Sequence, residues 1–283
     1  MREVTYTAEA SLRHPGVVLR GAVADLLASR QLAWRLFRRD FSAAYRQSLL
    51  GIAWSVVPAL VTVLGFTLLK ETGVADLGET PYAYPAYVML GMTLWQTFWS
   101  LVHLPLRAIS SSTSILVRLP VKPEALVLSK MGHVAFSLAT KLVLVVVLFA
   151  SFQVKITWGV LPAVLCVAVL ALLGLGLGLM LVPVGSLFHD LPRAIGLLGA
   201  GWLAITPVVY ALDTPGTTFG YVVHANPVTY PVAAVQQLVH GGTVDTPVLI
   251  GLLIVAGLAA VLCVVGWVLV RLSLPYLVER MGS

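Results

Sequence analysis

Side chains able to do chemistry are few and scattered along this chain. His189 and Asp190 form its one suggestive acid–base neighbour pair, and no nucleophile or orienting acid accompanies them in the spacing that catalysis needs. The six histidines, His14, His103, His133, His189, His224 and His240, lack ligand spacing, so no metal centre is expected. Cys166 and Cys263 sit alone in different apolar runs, as small buried hydrophobes do. A Gly-x-x-x-x-Gly-Lys-Ser/Thr phosphate cradle is missing from the sequence. The glycine clusters that begin at Gly174 and Gly196 lie in or beside apolar runs, and the Gly174/Gly178 spacing lets two helix backbones approach. The chain is expected neither to be an enzyme nor to bind a cofactor itself. What remains is a cation in a costly place, Lys141, and a set of aromatic rings in apolar surroundings.

Such side chains must be carried by membrane helices. Hydrophobic residues make up 59% of the 283 and charged ones 11%, against roughly a quarter charged in soluble domains. Several apolar runs approach the ~20 residues that span a bilayer, where a soluble α/β chain would interrupt them every few residues. The expected fold is an all-α integral membrane protein with six spans, 52–69, 84–104, 134–152, 161–184, 195–212 and 248–269. Residues 1–48 read as a tail with an interfacial amphipathic helix, 49–271 as the membrane domain and 272–283 as a C-terminal tail. Of the 18 Lys and Arg, all but Lys70, Lys155 and Lys141 fall on the side of the two termini, and the opposite side carries Glu71, Asp76, Glu79, Asp213 and Asp245. By the positive-inside bias both termini are cytoplasmic. The first forty residues hold no uninterrupted apolar core, so the first span is expected to direct insertion.

The entry to that span is the most patterned stretch, "RRDFSAAYRQSLLGIAWSVVPAL" from Arg38. At 100° per residue, Arg35, Arg39 and Arg46 share a narrow arc, while Trp34, Phe37, Phe41 and Tyr45 share another on the far side. This is the pattern of a helix in the headgroup layer, its rings in the acyl boundary and its arginines toward phosphates. The plainer alternative is that these arginines only set topology. Gly51 permits close backbone approach where the chain turns into the membrane. Between 212 and 248 the chain is too apolar for a solvated loop and too broken for a span. Asn226 followed by Pro227 marks a helix start, with Gly241 and Gly242 ending it. Short half-depth helices or an amphipathic helix on the leaflet surface both suit this stretch.

These residues together resemble a family. "RDFSAAYRQSLLGIAWSVVPAL" is similar to the first-span entry of permease subunits of type-2 ABC exporters of polysaccharides, the Wzm-like proteins that move O-antigen, teichoic acid and related glycans. Arg39, Asp40, Tyr45, Arg46, Ser48, Leu49, Leu50, Gly51, Trp54 and Pro58 match that pattern in order. "SLFHDLP" at 186–192, "TPVVY" at 206–210 and "ANPVTYPVAAVQQLVHG" at 225–241 resemble later family elements in the same order. His189 stands where the family usually has Arg, and the connection between the second and third spans lacks the usual Phe-Pro.

The resemblance implies a multi-pass permease of the inner membrane that exports a lipid-linked glycan. It implies a second copy of the chain and a separate cytoplasmic ABC ATPase that carries ATP and Mg; membrane lipids, and no nucleic acid, complete the expected partners. Ser112, Ser114, Ile115 and Arg118 would lie on a coupling helix in a groove of that ATPase, although they would equally serve as a plain connection at the headgroups. Asn226 and Pro227 would belong to re-entrant gate helices between spans five and six. Sugars present CH-rich faces that stack on rings, which makes Trp54, Phe66, Trp95, Trp99, Trp202 and Tyr210 channel-lining candidates. Lys141 has three readings: contact with the anionic phosphate of lipid-linked cargo, an ion pair disfavoured by the lack of carboxylates in the spans, or snorkelling. Export of drugs or lipids is the alternative within the same class. A membrane-embedded glycan-processing enzyme would need convergent acids or histidines, and an ion-coupled carrier would need membrane carboxylates.

Overall fold

Proline and glycine punctuate the apolar runs and set where the helices begin and end. The computed structural model describes residues 15–46, 54, 56–73, 78–110, 123–185, 188, 190–212 and 218–282. Among the described residues there are nine helices and no strand: α1 Pro15–Arg46, α2 Val57–Glu71, α3 Tyr84–Ser110, α4 Pro123–Ser151, α5 Val160–Gly185, α6 Leu191–Ala204, α7 Thr218–Ala225, α8 Thr229–Gly241 and α9 Thr246–Gly282. Pro58 and Pro192 sit in the first turns of α2 and α6, where a missing N–H costs nothing. Gly242, at φ +74°, closes α8 by donating its N–H to the Leu238 carbonyl.

Three of these helices are long and apolar enough to cross a membrane: α4 over Glu124–Ser151, α5 over Val160–Gly185 and α9 over Thr246–Ser273. The chain is a multi-pass membrane protein. In lipid, helices gain little by burying apolar surface against one another, so small residues that allow close backbone approach hold them together. At the centre, α5 packs chiefly on α9 and α3. A Cβ on Gly174 would lie 2.7 Å from the Phe98 carbonyl oxygen of α3, and one on Gly178 would lie 2.5 Å from that of Val102. On the other face of α5, Gly176 meets Leu262 and Cys263 of α9, and Gly266 of α9 meets Leu179 and Met180.

Several sequence-based boundaries move. The helix of the expected fifth span, 195–212, stops at Ala204, and 205–212 is non-helical. Pro207 accounts for this, because it supplies no N–H and pushes the residue before it out of the helical region. The helix of the first span begins only at Val57. The helix whose start Asn226 and Pro227 mark begins at Thr229, so Pro231 falls in its first turn, where proline is tolerated. Helix α9 runs unbroken for 37 residues, from Thr246 to Gly282, and so continues through most of the stretch read as the C-terminal tail. The expected coupling residues Ser112, Ser114, Ile115 and Arg118, together with Gly51 and His189, lie outside the described residues.

Candidate functional site

The break after α6 is the most heavily hydrogen-bonded place in the described chain. Buried backbone that leaves a helix must have its carbonyls satisfied elsewhere, and here side chains from distant elements do so. Tyr84 Oη donates to the Val209 carbonyl at 3.0 Å, and the Tyr87 hydroxyl lies 3.0 Å from the Tyr210 carbonyl and 2.9 Å from Gln236 Oε1, sharing its one hydrogen between them. Tyr210 Oη reaches back to the Ala204 carbonyl at 3.1 Å. Gly91 lets α3 come this close, since a Cβ there would lie 2.6 Å from the Val208 carbonyl oxygen.

Asn226 ties this break to the α7–α8 hairpin. Its Nδ2 donates to the Ile205 carbonyl at 3.2 Å and to Thr206 Oγ1 at 2.8 Å, and its Oδ1 accepts from Trp202 Nε1 at 2.9 Å and from the Val228 N–H at 3.1 Å. All four valences of a buried amide are filled, an arrangement that fixes geometry as well as adding stability. Helix α8 is buried on most of its surface, wedged among α3, α5 and α9. An amphipathic helix lying free on a leaflet surface would not bury Val232, Val235, Gln236 and Val239 together. At its far end Thr157 Oγ1 donates to the Leu238 carbonyl at 2.7 Å.

Of the six aromatic channel-lining candidates and Lys141, three meet. Trp95 and Trp99 stack at 5.5 Å and 12° on α3, and Trp202 of α6 stands edge-on to them at 6.4 and 6.0 Å. Phe98 and His103 complete the cluster, 5.6 Å from Trp202 and 5.2 Å from Trp99. Gly199 provides room on α6 for the Trp99 ring. Trp95 is buried, whereas Trp99 and Trp202 keep part of their faces open. The other candidates disperse. Trp54 is exposed, Phe66 packs from α2 onto the core, Tyr210 meets Phe219 at 5.7 Å, and Lys141 lies inside α4.

The expected aromatic face of the entry helix divides. Trp34 is exposed, but Phe37 and Phe41 lie against α4 instead of facing lipid alone: Phe37 touches Gly132 and sits 4.9 Å from His133, and Phe41 sits 4.7 Å from Phe136. The side chains of Tyr45 and Arg46, in the last turn of α1, are outside the description. Arg35 and Arg39 are exposed. Arg39 reaches Asp40 at 2.9 Å, and Lys130 of α4 reaches the other oxygen of Asp40 at 2.8 Å. Partial burial would raise the Asp40 carboxyl, but the hydrogen bonds from Lys130 and Arg39, and then their charges, hold it below the ordinary carboxylate range. A second pair links the same end of the molecule: Arg271 of α9 reaches Glu124, at the start of α4, at 2.7 Å, with Glu124 only 2% exposed. Sequence reading missed this pair. Its one trace was that both residues fall on the same side of the membrane by charge counting.

The family model for the ABC-2 type transporter matches residues 31–239. The chain is similar to the "O-antigen export system permease protein RfbA" of Myxococcus xanthus, 28% identical over 200 residues that cover 68% of this chain and 73% of that protein. It is also similar to the protein of the same name from Klebsiella pneumoniae, 24% identical over 212 residues, or 73% of this chain and 79% of the relative. The match takes in the entry helix, the aromatic cluster, the hydrogen-bonded break and the α7–α8 hairpin. The chain belongs to the ABC-2 type transporter family, whose members are membrane subunits of transporters and not themselves enzymes.

Proposed function

We propose that this chain is the membrane subunit of an ATP-driven exporter that moves a lipid-linked polysaccharide across the cytoplasmic membrane. The observation that carries the glycan reading is that both relatives, matched over more than two thirds of their lengths, are named as O-antigen export permeases. The Trp95, Trp99 and Trp202 cluster supports it, because flat rings suit the CH faces of sugars. In this reading six segments cross the membrane, with α2, α3 and α6 joining α4, α5 and α9. The end that carries the Asp40–Lys130 and Glu124–Arg271 pairs faces the cytoplasm, where residues 107–130, including Ser112, Ser114, Ile115 and Arg118, meet a separate ATPase that holds ATP and Mg. The α7–α8 hairpin, anchored by Asn226 and containing the buried helix α8, forms a re-entrant gate at the opposite end.

A second copy of the chain completes the pathway. Helix α6 makes few contacts within the chain and exposes Leu197 and Leu198, and a Cβ at Gly196 or Gly201 would meet nothing. A face of this kind suits close helix packing across a dimer. The test is to deplete the protein from its native cells and to measure carrier-linked glycan inside and polysaccharide at the surface. Long carrier-linked polymer accumulating inside, with loss at the surface, is expected. Unchanged pools would overturn the glycan reading in favour of small lipids or drugs as cargo.

A further inference from the structure

Lys141 is a cation built into the middle of a membrane helix with no acceptor for its charge. It is 6% exposed, on the stripe of α4 that continues through Val145 and Phe149, both core residues. Among the described residues no hydrogen bond or ion pair reaches its ammonium. The chain's twelve carboxylates lie at 3, 9, 25, 40, 71, 76, 79, 124, 190, 213, 245 and 279, none of them within the body of a membrane helix. A second copy would therefore offer no carboxylate at this depth either. An uncompensated buried charge is strongly unfavourable, so the ammonium either sheds its proton or takes an acceptor from beyond the described residues, and a bound anion would be one.

A second orphan lies on the neighbouring helix. Thr93 of α3 is fully buried, and its Oγ1 has no hydrogen-bond partner. The α5-facing stripe of α3 runs through Phe98, Leu101 and Val102, and Trp95 and Trp99 turn toward α6. At 100° per residue this leaves Ala86, Thr93, Thr97 and Leu104 for the side of α3 packed by α4 and α2, of which α4 makes the larger contact. Helices α3 and α4 pack antiparallel. Tyr82 meets Phe149 at 5.4 Å at one end, and Ala108 and Ile109 cluster with Leu126 and Val127 at the other. Counting inward from the Tyr82–Phe149 pair at about 1.5 Å per residue brings Lys141 and Thr93 within about one helical turn of the same depth.

We propose that Lys141 and Thr93 form an intramembrane site for a phosphate group borne by lipid-linked cargo. An ammonium supplies charge and up to three N–H donors, and the threonine hydroxyl supplies one more, a donor set that suits phosphate oxygens. This assignment rests on the lipid-linked cargo reading given above.

The test uses the full chain in lipid nanodiscs and follows the melting temperature against three probes: a polyprenyl diphosphate, the matching polyprenyl alcohol and inorganic diphosphate. The wild type should be stabilised saturably by the prenyl diphosphate and not by the alcohol. Lys141→Met should weaken that response by about tenfold or more, and Thr93→Val less, as expected for loss of a charged and a neutral hydrogen bond. Unliganded Lys141→Met should melt no lower than the wild type. Stabilisation by inorganic diphosphate as well would assign the site to any phosphate anion, and stabilisation by the prenyl form alone would assign it to the lipid headgroup. No response in the wild type, an equal response in Lys141→Met, or a Lys141→Met protein that melts well below the wild type would each overturn the site. If depletion blocks glycan export but no binding is seen, the site falls alone. If binding is seen and glycan pools are unchanged by depletion, the cargo reading falls and the phosphate site stands.

Discussion

The two ends of this membrane protein are fastened by different chemistry. At one end, charges join elements: Asp40 of α1 to Lys130 of α4, and Glu124 of α4 to Arg271 of α9. At the other, neutral donors satisfy backbone carbonyls: Tyr84, Tyr87 and Asn226 at the break after α6, and Thr157 at the end of α8. Ion pairs respond to ionic strength, pH and neighbouring charge, whereas amide and hydroxyl bonds to carbonyls are nearly indifferent to all three. The ionic end is thus open to outside influence, and the neutral end holds a fixed shape.

The largest effect is expected at Arg271. Replacing it by Met strands the buried Glu124 carboxylate and should cost about 3 kcal/mol, seen as a lower melting temperature in detergent; Glu124→Gln together with Arg271→Met should recover much of the loss. Asn226→Leu orphans Trp202 Nε1 and the Ile205 carbonyl at once, and should cost about 2–3 kcal/mol with no dependence on salt. If that loss shrinks at high salt, the neutral end is not neutral. Tyr84→Phe removes one hydrogen bond, and a melting curve should register about 1 kcal/mol.

Asp40→Asn is the smallest change, under about 1 kcal/mol for a partly exposed pair, and it should shrink further as salt is added. Its pH behaviour fixes the sign. The folded Asp40 carboxyl lies below its ordinary value of 3.8, so its contribution is present in full above that value and is lost as pH falls through the lowered folded value. Melting curves at successively lower pH should converge for wild type and Asp40→Asn only in that acid range. Convergence near neutrality would contradict the pairing.

The sequence was informative wherever a signal is local. The start of α3, the glycine end of α8 and the close packing at Gly174 and Gly178 follow from residue types within a turn or two. The α6 break was not legible in this way. "TPVVY" was quoted for its resemblance, yet an apolar run appeared to continue through it, and the hydroxyls that make the break tolerable come from Tyr84 and Tyr87, more than 120 residues away. Asn226 looked like a helix-start signal because its dipeptide with Pro227 is one; that its amide bridges two elements is a tertiary fact. The aromatic face of α1 was read as facing the acyl boundary, but periodicity names a face and not its neighbour, and the neighbour of Phe37 and Phe41 is α4.

Helix α9 carries a mechanical consequence. Its 37 residues make a rod about 55 Å long, while the hydrocarbon layer is about 30 Å thick. The rod is thus longer than the layer, and its last turns run on past the apolar stretch Thr246–Ser273, just beyond the clasp of Arg271 on Glu124. A tilt of about 5° would sweep the tip of such a rod through about 5 Å, and the glycine seam between α5 and α9 would serve as its bearing. Anything that grips that tip gains purchase on the centre of the molecule.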